Sequence, residues 1–167
     1  MRNLFSYIKS SKKGFTLLEL IVVFTVIAIL STVGLASFVN YSKTETLKQA
    51  QNDLINTLNT AKSDAFSQIK PVQCVSYTLN GYSVTINTST WRSYSLNVIC
   101  SGNTFTLSTK TLPSGVSFNT GSGTPPTTST NIYFSLLTSG VIGEGDIVLS
   151  GNGSTKTVTV TSVGGIE

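Results

Sequence analysis

Glu19 is the residue with the most chemical consequence in this sequence. It is the single ionisable side chain in the 25 residues from 15 to 39. A carboxylate inside an apolar run of membrane-crossing length costs about 2.5–3.5 kcal/mol on insertion scales, so it demands a partner. If the chain is cut after Gly14, Phe15 carries a new α-amino group beside the apolar helix. Glu19 then follows four residues later, one helical turn away on the same face. A cation and a carboxylate at the edge of a membrane are tolerable when paired, within one molecule or between neighbours.

Two further sets of residues have chemistry to offer. Cys74 and Cys100 are the only cysteines. In an exported domain an even count favours a disulfide, while two buried free thiols are the alternative. A bridge closing a loop of that size contributes on the order of 3 kcal/mol in the chain-entropy picture. Glu144 and Asp146 place two carboxylates in the glycine-rich turn Gly143-Glu144-Gly145-Asp146. Calcium takes six to eight oxygens, so this is a weak calcium candidate and reads first as a solvated turn. With no histidine and seven scattered acids, no acid–base pair, activated nucleophile or phosphate-cradling loop is recognisable. No enzymatic activity and no cofactor or resident metal are expected.

The elements that must position these groups follow from charge and periodicity. Residues 15–39 reach roughly 37 Å as a helix, against a hydrocarbon core of about 30 Å. Arg2, Lys9, Lys12 and Lys13 precede them without any acid. Positive charge on that side puts the N-terminus in the cytoplasm and the bulk of the chain outside the inner membrane, in the periplasm or at the cell surface. An ordinary signal peptide, with small residues at Gly34-Leu35-Ala36, is an alternative; its apolar run is usually 7–15 residues and explains no glutamate. A plain signal anchor fits the length but not Glu19. Residues 1–14 read as a leader, and its removal takes away four of the eleven bases, leaving seven against seven acids. Net charge therefore gives no support to a nucleic-acid partner.

Beyond 39 the helical pattern changes. Leu47, Ala50, Leu54, Leu58, Ala61, Ala65 and Ile69 recur at intervals of three or four, with Lys43, Lys48, Asp53 and Lys62 on wetted faces. Pro71 predicts a stop near Ile69 or Lys70. Residues 15–39 are thus the membrane or assembly half of one long helix, and 40–70 its amphipathic half. Ala28, Thr32 and Ala36 form a small-residue strip suited to close helix approach. Residues 71–167 read as a β-rich domain. Strands are expected at 72–79 and 82–86 around an Asn80-Gly81 hairpin, placing Val72 and Cys74 on one face. Further strands are expected at 91–100, 105–112, 116–118, 132–137, 146–149 and 157–163. The last two pair around Gly151-Asn152-Gly153, and 121–131 is a flexible loop by composition. The fold class is α+β, a long N-terminal helix on an antiparallel sheet domain.

Lys13-Gly14-Phe15-Thr16-Leu17-Leu18-Glu19-Leu20 resembles the prepilin-peptidase site of type IV pilins and type II secretion pseudopilins. The resemblance implies cleavage after Gly14, N-methylation of Phe15, and neutralisation of a neighbour's α-amine by Glu19 during filament assembly. It implies as partners other pilins or pseudopilins, the prepilin peptidase, the inner-membrane assembly machinery, and the membrane through 15–39. Asp53-Leu54, Leu58, Ala61-Lys62-Ser63-Asp64-Ala65, Pro71-Val72 and Cys74 are similar to the GspH/FimT group, with Lys62 and Asp64 where arginine and glutamate are usual. The implied function is a minor pseudopilin or minor pilin. The alternative is a ligand-binding minor pilin at a filament tip, for adhesion or DNA uptake. The ending Gly164-Gly165-Ile166-Glu167 lacks the basic residues associated with DNA-uptake members.

Overall fold

The computed structural model describes residues 14–119, 127–128, 130–137 and 140–167, with the side chains of 32–37 outside the description. The leader up to residue 13, most of the loop expected at 121–131, and the small-residue strip beyond Ala28 lie outside the described residues. By its internal packing the chain divides into two units, Met1–Asn40 and Tyr41–Glu167.

Helix α1 spans Leu17–Phe66. Its apolar run with described side chains, from 17 to 31, covers roughly 22 Å. Among the described residues no helix is long and apolar enough to cross a membrane.

In the second unit α1 is amphipathic, and Leu47, Ala50, Leu54, Leu58, Ala61 and Ala65 are buried. The helix ends in a left-handed cap. Gln68 has φ 51°, its N–H donates to the Ala65 carbonyl, and the Ile69 N–H donates to the Asp64 carbonyl. These two bonds satisfy carbonyls that the last turn leaves open. The turn redirects the chain before Pro71, so Ile69 is half exposed and not the last residue of the buried face.

Eight strands follow: β1 (Leu79–Ile86), β2 (Ser93–Cys100), β3 (Asn103–Thr111), β4 (Val116–Phe118), β5 (Asn131–Ser135), β6 (Val141–Ile142), β7 (Gly145–Gly151) and β8 (Ser154–Val160). They form a five-stranded sheet in the order β3-β2-β1-β5-β6 and a three-stranded sheet in the order β4-β7-β8. The described pairings are all antiparallel. The α+β arrangement expected from the sequence is the observed one.

The core joins one helix face to the inner face of the larger sheet (Tyr82, Val84, Tyr94, Val98, Ile132) and to Phe118, Ile147, Leu149 and Val158 of the smaller one. Tyr94 and Phe118 meet edge to face at 6.1 Å. Two side chains add polar ties from the helix. Gln51 donates to the Thr157 carbonyl at 2.9 Å, and Lys62 donates to the Gly164 carbonyl at 2.8 Å. Lys62 is therefore half-buried and engaged, not simply wetted.

Two local expectations, both before the second strand, need correction. No hairpin turns at Asn80-Gly81, because both lie inside β1. Gly81 is a glycine for close strand approach: a Cβ there would collide with the Phe134 carbonyl and the Tyr133 ring. Residues 72–79 are not a strand. Val72–Cys74 is a single turn of 3-10 helix, with Val72 82% exposed and Cys74 buried, so the two share no face. The turn at Asn152-Gly153 is a two-residue hairpin joining β7 to β8, with both residues at positive φ, the geometry that twists with its strands.

Candidate assembly site

Thr16 starts the helix. Its side-chain oxygen accepts the Glu19 N–H at 3.2 Å, and its carbonyl accepts the Leu20 N–H at 3.2 Å. Thr16 is thus the N-cap and Glu19 stands at the third helical position, where a carboxylate also complements the positive end of the helix dipole. The Thr-x-x-Glu spacing is a capping-box signature that was open to recognition in the sequence. Phe15 precedes the cap, so it does not share a helical face with Glu19.

Gly14 and Phe15 lie in exposed chain without regular secondary structure before the cap. A Cβ on Gly14 would meet nothing within 4 Å. Among the described residues the fold itself places no demand for glycine at this position.

The following side chains are all exposed. Leu20, Ile21, Val22 and Val23 are between 47% and 52% exposed, and Phe24 is 65% exposed. Successive helical residues point about 100° apart, so five in a row exhaust the circumference. No face of this segment is covered. An apolar helix of this kind is stable only inside lipid or against other helices.

Cys74 and Cys100 are joined by a disulfide with Cα atoms 5.7 Å apart. The bridge ties the 3-10 turn after α1 to the end of β2, and both residues are fully buried. Beside it the Tyr82 hydroxyl donates to the Ile69 carbonyl at 2.5 Å, and burial raises the Tyr82 pKa. Asp64, half-buried on the helix, has its carboxyl pushed upward by the same cause.

Of the pair Glu144 and Asp146, the second is engaged within the fold. The Asp146 carboxylate accepts the Thr159 hydroxyl at 2.8 Å across the β7–β8 ladder, and its N–H donates to the Thr128 hydroxyl. Among the described residues there is no group of three or more His, Cys, Asp or Glu able to hold a metal.

Two positioning residues went unrecognised as such in the sequence, Thr16 and Gln51. The first had a motif to find it; the second, one glutamine on a helix, had none.

Residues 9–35 match the family model described as the prokaryotic N-terminal methylation motif. No curated protein and no solved structure gives a match.

Proposed function

We propose that the chain is a type IV pilin-like filament subunit, a reading supported by its N-terminal methylation motif, and that it serves as a minor pseudopilin or minor pilin of the GspH/FimT group. In this reading the prepilin peptidase cuts after Gly14 and the new amine of Phe15 is methylated. Residues 15–39 hold the subunit in the inner membrane, N-terminus inward and β domain outward, until the assembly machinery moves it into a type II secretion pseudopilus or type IV pilus. Its role is structural, without catalysis.

The observation that carries the reading is the uncovered apolar helix around a single carboxylate. Its described side chains are exposed on every face, so it requires covering atoms beyond the described residues of its own unit. Among the described residues nothing packs against Gly14, and the reading gives peptidase recognition as its role. The Glu19 carboxylate sits in the first turn of the helix, and the reading pairs it with the Phe15 α-amine of the cut chain or of a neighbouring subunit. Pairing there offsets the cost of the charge in lipid.

Glu19→Ala separates the steps. Insertion and cleavage are expected to proceed as in the parent, with incorporation into filaments reduced several-fold. Normal incorporation of the processed variant would refute the pairing role.

A further inference from the structure

We infer that the outer face of the five-stranded sheet binds a neutral polysaccharide. Antiparallel partners in a sheet point to the same side. The register pairs Thr85 of β1 with Ser95 of β2 and with Asn131 of β5, and Asn97 of β2 with Thr106 of β3. Their neighbours in each strand, such as Val84, Leu96 and Val98, turn inward to the core. Across β3, β2, β1 and β5 the outward positions carry mostly hydroxyls and carboxamides, with Gly81, Ile99 and Tyr133 among them, and no acid or basic side chain. The face is about 14 Å wide, and it is neutral in a domain whose residues 71–167 hold six charged side chains in all.

The polar groups on it are ordered by one another. Thr106 donates its hydroxyl to the Asn97 side-chain oxygen at 2.9 Å. The Asn97 amide donates to Thr85 at 3.1 Å and to Ser95 at 3.3 Å. Thr85 in turn donates to the Asn131 side-chain oxygen at 3.0 Å. The chain of bonds crosses four strands, with Asn97 buried at its centre. A hydroxyl that has given its proton inward still presents lone pairs outward, and one that only accepts still has a proton to offer. Thr106 is of the first kind and Ser95 of the second. A sugar hydroxyl, which both donates and accepts, matches that mixture.

The same face holds a depression of about 300 Å³, bordered by Asn87, Ser93 and Thr109 together with Thr85, Ser95 and Thr106. One step along the face stands Tyr133, paired with Ser83. Its hydroxyl donates to the Asn80 carbonyl at 2.8 Å, which lays the ring over Gly81 as an apolar surface on the same face, outside the lining of the depression. A flat ring next to hydroxyls and amides suits a sugar ring, which has a C–H face and a polar edge. The lack of charge removes the attraction that nucleic acids and phosphorylated ligands require. The depression also lacks the exposed large aliphatic side chains that seat an amphipathic helix.

The inference concerns the second unit and does not rest on cleavage after Gly14. It is tested by affinity electrophoresis of the full chain, in a polyoxyethylene detergent without a sugar headgroup, through gels containing dextran, hydroxyethyl cellulose or mannan. Retardation by at least one of these neutral polysaccharides is expected, and it should persist in high salt. Thr109→Glu, on an exposed edge strand, is expected to keep the parent's melting temperature and weaken retardation roughly tenfold, the equivalent of one or two hydrogen bonds. Thr106→Ala should weaken it less. No retardation by any of the three polysaccharides overturns the inference, as does equal retardation of parent and Thr109→Glu.

Discussion

The two stretches of α1 on either side of residue 40 are the same secondary structure with opposite environments. From Leu20 to Phe24 every side chain is roughly half exposed or more. From Leu47 to Leu58, Leu47, Ala50, Leu54 and Leu58 are buried and Ile55 partly so, while Lys48 and Asp53 between them are exposed. Helix propensity does not account for the contrast, since isoleucine, valine and phenylalanine of the earlier stretch are poorer helix formers than the later lysines and glutamines. The difference lies in what covers each stretch. The later stretch uses its own sheet, and the earlier one has to be completed by lipid or by other chains.

The contrast is sharpest in stability. Leu58→Ala is expected to lower the unfolding free energy of residues 41–167 by about 2–5 kcal/mol, read as a fall in the midpoint of denaturant unfolding. Ile27→Ala should leave that midpoint unchanged; an equal fall would erase the distinction between the two stretches. Replacing Cys74 and Cys100 together with serine should cost about 3 kcal/mol by releasing a loop of 26 residues' separation. An unaltered midpoint under non-reducing conditions would mean that the bridge contributes nothing to the later stretch's hold on the sheet.

A smaller effect is expected at the helix-to-tail contact. Lys62→Met removes the bond to the Gly164 carbonyl and should cost about 1–2 kcal/mol. Amide exchange should quicken at Thr159 and Thr161, whose N–H groups donate to Glu167 and Gly165. The smallest change concerns pH. Burial raises the Asp64 carboxyl, so the folded state favours its neutral form. That contribution is complete below the ordinary carboxylate range and is lost as pH rises through the raised value. Asp64→Asn should therefore melt slightly higher at neutral pH and show a flatter acid profile; a lower melting point would reverse the sign of the assignment.

Much of this architecture is legible in residue order because helix packing and strand alternation are periodic. The buried face from Leu47 to Ala65 repeats every three or four residues, and β4 is bounded by turn residues. The methylation motif is likewise carried by consecutive residues, as is the Thr16 cap. What escapes local pattern is set by distant atoms. Gly81 looks like a turn glycine beside Asn80 but is small because the Phe134 carbonyl approaches it. Val72 and Val75 read as a strand, yet the cap at Gln68 redirects the chain and the bridge at Cys74 holds a turn there. Sequence left the two cysteines open between a bond and free thiols, which only their separation in space distinguishes. The uncharged sheet face exists only once four strands are in register.

Intact-mass spectrometry of the protein recovered from its native membranes or filaments is the most direct measurement. A mature chain beginning at Phe15, with the mass of one added methyl group, is the predicted result. A working protein that still begins at Met1, or one cut after Ala36, would contradict the account.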